Sequence, residues 1–378
     1  MRPARHAAVV LVALTGALIT LAGPAHAHGR ATDATNYDST VTEAPALEGV
    51  EWAVYGGDAL LSVTNTTDTA LTVFGYDGEP YLRIGPDGVW RNQRSPAAYL
   101  NEDRYGQVTL PPDADADAPP DWERVSDQAS HAWHDHRIHF MAPRRPAAID
   151  ENPDVEQVVP GYERWEVPFA HGETEYVVAG ELSWVPAPSP WPWLAAGAVL
   201  VLPALAGAKT HPRLEAPGPE GGRWPGLARP AAVVLGVVAA ANVSRIIDDV
   251  VAVPLPATET ALAAALTTLF TAAGGYGAWR GWRGTHADLF AMGAGGVLLG
   301  VGQGLVSLPV LTSSQLATVF ADAFARALVA ASLAQTLVVV GVAWWGSRRL
   351  RPTVPDARAG ERAAAAGPPD AALGASSG

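Results

Sequence analysis

The feature that most constrains this chain is the grouping of its apolar residues, which in the second half fall into five blocks of bilayer-spanning length. The blocks cover about residues 191–208, 230–250, 259–279, 287–308 and 322–346, each close to the ~20 residues that carry a helix across a hydrocarbon core. In lipid every backbone polar group must be satisfied within its own segment, so each block is expected to be a transmembrane α-helix. Short connections then give an antiparallel five-helix bundle. Basic residues orient it. Lys209, Arg213, Arg223 and Arg229 mark the first connection, Arg280 and Arg283 the third, and Arg348, Arg349 and Arg351 the exit from the last block. These positions read as cytoplasmic, and seven of the 13 Trp residues (Trp191, Trp193, Trp224, Trp279, Trp282, Trp344, Trp345) stand at block ends as an aromatic belt would.

The first half belongs in water. Arg2 and Arg5 precede an apolar run over 7–22, and Ala25-His26-Ala27 puts small residues at the −1 and −3 positions, so 1–27 reads as a signal peptide and the mature chain begins at His28. An extracytoplasmic domain over 28–186 follows, then the membrane domain over 187–350 and an Ala/Gly/Pro-rich cytoplasmic tail over 351–378 that is expected to stay disordered. A stiff Pro-rich stretch, Pro186 to Pro192, holds the exported domain near the membrane. Residues 28–190 carry 28 acidic and 10 basic side chains, and the whole chain has a net charge of −13. Such a balance speaks against nucleic-acid binding. Expected partners are the lipid bilayer, a metal ion, and other membrane or cell-envelope proteins.

Alternating segments bounded by turn residues make the exported domain all-β. Strands are expected at 50–55, 58–65, 70–76, 79–84, 88–92, 107–110, 131–141, 163–169 and 174–185, with Tyr55-Gly56-Gly57-Asp58 and Pro86-Asp87-Gly88 as turns. Their number and spacing suggest an immunoglobulin-like β-sandwich. The acidic run from Pro111 to Asp121 reads as a solvated surface loop.

The candidate site lies in the seventh of these strands. With no cysteine in the chain, disulfides, zinc ribbons and thiol nucleophiles are excluded, and a metal would have to use His, Asp, Glu or Met. Four of the 10 His residues crowd into His131, His134, His136 and His139, together with Asp135 and followed by Met141. In an extended strand His134 and His136 share one face, and His131, Asp135 and His139 the other. Neutral imidazoles with a carboxylate suit copper(II), zinc or nickel, and a Met141 thioether would favour copper(I). Two other readings stand beside this one: a buried hydrogen-bonded network at a sandwich corner, in which Asp135 pairs with Arg137 and the imidazoles satisfy backbone groups, and a protonation switch near the His pKa of ~6.5. A mature amino-terminal His28 adds a histidine brace, in which its amine and imidazole bind one copper that a further His completes.

Residues Gly75 to Leu82, Ser95-Pro96-Ala97, and Trp133 to Met141 together resemble an actinobacterial family of exported sandwich domains with carboxy-terminal spans, over about 47–190. That family implies the fold and brings no established activity. The layout is also similar to a fused CopC and CopD copper-resistance pair, which implies copper. The bundle departs from that pattern, since CopD-like bundles carry intramembrane His or Met, and here His286 lies at a cytoplasmic end and Met292 is alone.

Polar groups cluster at the outer span ends: Arg245, Asp248, Asp249, Glu259, Asp322 and Arg326. They read either as headgroup-level charges or as an outward-facing vestibule. The Gly-rich run from Gly293 to Gly304 permits close helix packing. No nucleophile elbow, phosphate loop or zincin motif is present, so a hydrolase or a nucleotide-driven pump has no residues to stand on. The expectation is a non-enzymatic multi-pass membrane protein whose exported domain binds copper or a similar ion, for homeostasis or for transfer to the bundle. The rivals are a metal-free anchored interaction domain and an oxidative copper enzyme built on His28.

Overall fold

The computed structural model describes residues 33–142, 144–210 and 225–349. The signal segment, His28, Arg213, Arg223 and the tail lie outside these residues, and with them the calls on cleavage, the brace and tail disorder.

The first part of the described chain is built of antiparallel strands: β1 (Tyr37–Glu43), β2 (Val50–Tyr55), β3 (Leu60–Asn65), β4 (Leu71–Phe74), β5 (Pro80–Gly85), β6 (Gly88–Asn92), β7 (Trp122–Ser126), β8 (Ser130–Trp133), β9 (Gln157–Val158), β10 (Trp165–His171) and β11 (Thr174–Trp184). One sheet has the order β1-β11-β10-β4-β5-β6-β7, with β9 also on β11, and a second is β2-β3-β8. Alternate residues of β4 and β10 are buried, as in sheets with one face on a core. Leu61, Val63 and Trp133 from the small sheet meet Val73, Leu82, Ile84, Val167 and Phe169 from the large one in a single apolar cluster. Each such side chain, taken fully from water, contributes ~1.5–3 kcal/mol. The division into eight and three strands differs from the four-and-three division of a constant-type immunoglobulin domain.

Three strand expectations change. Residues 107–110 are not a strand, because the Asp103 carboxylate accepts the N–H groups of Tyr105 and Gln107 at 2.9 Å and turns the chain there. Its place beside β6 is taken by β7, whose exposed Glu123, Arg124 and Val125 hide the strand pattern. The segment 131–141 is a strand only as far as Trp133.

The helical part begins with α3 (Trp191–Thr210); α1 (Ala97–Leu100) and α2 (Ala147–Glu151) are single turns in the β-domain. Then come α4 (Pro225–Ala241), α5 (Val243–Val251), α6 (Ala257–Gly281), α7 (His286–Leu299) and α8 (Asp322–Arg349), with a π-helical turn at Gly300–Leu305 and a 3-10 turn at Leu308–Leu311. Four segments are long and apolar enough to cross a membrane: Ala228–Val251, Ala257–Gly281, His286–Leu305 and Asp322–Gly346. The first expected span is the 20-residue helix α3, whose described apolar part, Trp191–Leu200, is shorter than a span. The glycines act as expected of small residues at helix contacts. A Cβ on Gly295 would collide with the Ala273 carbonyl of α6, and one on Gly300 with the Thr336 hydroxyl of α8. At the break between α4 and α5, wholly buried Asn242 donates to Ser332 Oγ of α8 at 3.1 Å.

Three of the polar residues at the span ends bind the segment between α7 and α8. Asp248 accepts from Thr318 Oγ1 (2.9 Å) and Val319 N (2.9 Å), Arg326 donates to Ser313 O (2.8 Å) and pairs with Asp322 (3.1 Å), and Arg245 donates to Ser307 Oγ (3.0 Å). The loop they hold carries the β-domain. Thr35 and Gln315 exchange backbone hydrogen bonds (3.1 and 2.8 Å), Ser314 N donates to Asn36 Oδ1 (2.8 Å), and Ser314 Oγ donates to Val185 O (3.0 Å).

Candidate metal centre

The strand alternation expected for 131–139 ends at Trp133, and the reason lies in the odd members of the run. Asp135 is wholly buried and accepts four bonds: from Trp133 Nε1 (2.8 Å), Arg137 N (3.1 Å), Arg137 Nε (2.8 Å) and Arg137 Nη2 (2.7 Å). Four acceptances within two residues on either side close the backbone into a turn. Arg137 also donates to Phe74 O at 3.2 Å and lies 5.0 Å over the Tyr76 ring. Burial alone would raise the Asp135 pKa, but the Arg137 charge and the hydrogen bonds from Arg137 and Trp133 reverse this and hold it below the usual carboxylate range. The network expected as the rival reading is therefore present: Trp133, Asp135 and Arg137 form its ionic part, and the imidazoles of His134, His136 and His139 meet backbone carbonyls as it also expected.

The turn sends His134, His136 and His139 to one place. One ring nitrogen from each lies within 4.8 Å of the others. His139 is fully buried, and the other two are partly so. Each imidazole is anchored by its second nitrogen to a backbone carbonyl: His134 Nδ1 to Ala59 O (2.7 Å), His136 Nε2 to Asp103 O (2.8 Å) and His139 Nδ1 to Phe140 O (3.1 Å). A carbonyl only accepts, so these contacts favour the tautomers with the proton on those nitrogens and make His134 Nε2, His139 Nε2 and His136 Nδ1 the candidate ligand atoms. Fixing the tautomer through an outer hydrogen bond is what metal-binding imidazoles do.

One distance bears directly on the chemistry. His134 Nε2 and His139 Nε2 are 2.8 Å apart. Two lone pairs at that separation repel unless a proton or a cation lies between them. Burial, followed by the neighbouring His134 and Arg104, lowers the His139 pKa to about 2. Burial, and to a lesser extent Arg104 and His136, also lowers that of His134. A positively charged imidazolium is therefore disfavoured at neutral pH, which leaves an N–H donated between two neutral rings or a metal; a metal at ~2.0–2.1 Å from each nitrogen would hold the pair at roughly 3.3 Å in a tetrahedral site. Closing that difference takes a shift of about half an ångström. The Arg104 carbonyl lies 3.5 Å from His134 Nε2, and the Arg104 cation is neutralised by buried Asp58 at 2.8 Å.

Other expected ligands are elsewhere. His131 stays on β8, stacked on Trp133 at 6.2 Å, and burial lowers its pKa to about 4. Asp135 is consumed by its network. Met141 leads the chain away, its N–H donating to Tyr162 Oη at 3.4 Å. Residues that sequence reasoning missed hold the imidazoles. Tyr76 Oη accepts from His136 N at 2.9 Å, its ring stacks on His136 at 5.7 Å, and its hydroxyl donates to Asn101. Gly106, at φ 64°, lies against His136 Cε1, where a Cβ would come within 3.1 Å. The carbonyls of Ala59 and Asp103 carry no side-chain signal at all.

No family model, curated protein or solved structure matches this chain. The functional reading is carried by the geometry.

Proposed function

We propose that this is a five-span membrane protein whose exported β-domain binds one transition-metal ion through His134, His136 and His139. The observation that carries the reading is the trio itself: three imidazoles, each held by a backbone carbonyl, that bring one ring nitrogen apiece within 4.8 Å of one another. Three neutral nitrogens suit copper(II) or zinc. The role is binding rather than catalysis. In the proposed topology α3 is the first span, the β-domain and the loop at 312–320 face outward, and the carboxy terminus is cytoplasmic, following the basic residues at 280–283 and 348–351.

Calorimetric titration of the metal-stripped full chain in detergent with copper(II) or zinc at pH 7 tests it. Wild type should bind about one ion, and the His134→Ala/His136→Ala variant should lose that binding. Absence of saturable binding by wild type overturns the reading and leaves a membrane-anchored interaction domain. Reporter fusions check the topology: one after Arg351 should report cytoplasm and one near Leu311 the outside.

A further inference from the structure

Four consecutive residues in the turn between β2 and β3 touch both the histidine trio and the membrane bundle. Gly57, at φ 74°, is packed so closely that a Cβ would meet Thr35 Cγ2 and Tyr37 O at 2.6 Å and Gln315 Cβ at 3.0 Å. Asp58 is wholly buried against Arg104 at 2.8 Å. Ala59 gives its carbonyl to His134 Nδ1 at 2.7 Å. The Ala59 and Leu60 side chains form an apolar cluster with Val253, and Ala252, Leu255 and Ala317 pack against it.

The ion pair ties this turn to a second segment. Arg104 and its neighbour Asp103 present carbonyls to the trio, at 3.5 Å from His134 Nε2 and 2.8 Å from His136 Nε2. The Asp58–Arg104 pair therefore sets the spacing between the two chain segments that orient His134 and His136. A buried pair is weak evidence for stability, and fixing position is the better account of one placed here. On the membrane side, the same turn rests on Gln315, in the loop that Asp248 and Arg326 bolt to the bundle. Among the described residues the only grouping of three His, Asp or Glu side chains placed to hold a metal is the trio.

We propose that ion occupancy of the trio and docking of the β-domain on the bundle form one linked equilibrium, with the Gly57–Leu60 turn as the shared wall and the Asp58–Arg104 pair as its positioning element. The inference rests on the metal reading above. An ion that fixes His134 fixes the Ala59 carbonyl, and with it the face that meets Val253, Ala317 and Gln315. By reciprocity, docking must raise the affinity for the ion by the same factor. The bundle is then informed of the ion.

The test uses the full chain in lipid nanodiscs with zinc as the probe. Gln315→Pro removes the N–H that donates to Thr35 O while leaving every imidazole and carbonyl anchor in place. It should weaken zinc binding about tenfold, within the usual range of coupling between sites. Asp58→Asn should weaken it at least as much, and Gln315→Pro decides the question whether or not that variant folds. In wild type, zinc should slow hydrogen exchange about tenfold in the peptides holding Thr35 and Gln315, and should have no such effect in His134→Ala/His136→Ala. If wild type binds zinc but Gln315→Pro binds it equally and junction exchange is unchanged, the linkage is refuted and the metal reading survives. If wild type binds neither zinc nor copper, the metal reading falls and the linkage with it.

Discussion

Replacing Asp135 by Asn separates the scaffold of the site from its ligands. The carboxylate is wholly buried and accepts four hydrogen bonds, two of them from the Arg137 guanidinium at 2.7 and 2.8 Å. Asparagine keeps the shape but removes the charge, leaving Arg137, whose side chain is 17% exposed, a cation without its partner. Breaking a buried pair in this way is destabilising by ~3–5 kcal/mol, a large share of the ~5–15 kcal/mol that holds a typical domain. At roughly 2–4 °C per kcal/mol for a domain of this size, the β-domain transition in scanning calorimetry of the metal-free protein should fall by ~6–20 °C. Removing both charges, with Asp135→Asn and Arg137→Met together, should be less damaging than the sum of the single changes, because no lone charge remains buried. The Asp135 pKa is lowered on folding, so its stabilisation is present above the unfolded value of ~3.9 and disappears only as pH falls through the lower folded value. At neutral pH the full effect should be seen. If Asp135→Asn melts within about 1 kcal/mol of wild type yet loses its metal, Asp135 is a ligand and the scaffold argument is wrong.

A second expectation concerns acid. His131, lowered to about 4, takes up its proton more readily when unfolded, so its contribution is complete above ~6.5 and is lost as pH falls from there toward 4. That loss amounts to about 3 kcal/mol at most; the stability of His131→Phe should fall less over the window, and an NMR titration of His131 near 6.5 would refute the assignment. In the bundle, Gly295→Val should drive a side chain into the Ala273 carbonyl and destabilise by about 1–3 kcal/mol. Denaturation in mixed micelles reads that change, and wild-type behaviour would mean that the α6–α7 contact is looser than described.

Four of the five apolar blocks read from the sequence are helices long and apolar enough to cross a membrane, because lipid leaves a chain no alternative to long apolar helices. The sequence also carried the turn at 55–58 and the crowding of histidines. It misjudged β1, β7 and the 107–110 segment, where edge or surface strands have polar patterns and a single carboxylate, Asp103, bends the chain away from a ladder.

What the sequence determined by itself was therefore composition of the site and the kind of solvent around each half: imidazoles without thiols in a polar β-domain, and apolar spans after it. Which imidazoles meet was a tertiary matter. Period-two alternation puts His139 on the opposite face from His134, and only the closure of the chain around Asp135 brings their Nε2 atoms to 2.8 Å. The anchors are carbonyls of Ala59, Asp103 and Phe140, and every residue has a carbonyl, so no sequence pattern can single them out. The same holds for Asp248 and Arg326, read from the chain as span-end charges or a vestibule. Apart from Asp322, one turn before Arg326 on the same helix, their partners are backbone groups and a hydroxyl on a distant loop, and a contact of that kind exists only once helices and loop have been brought together.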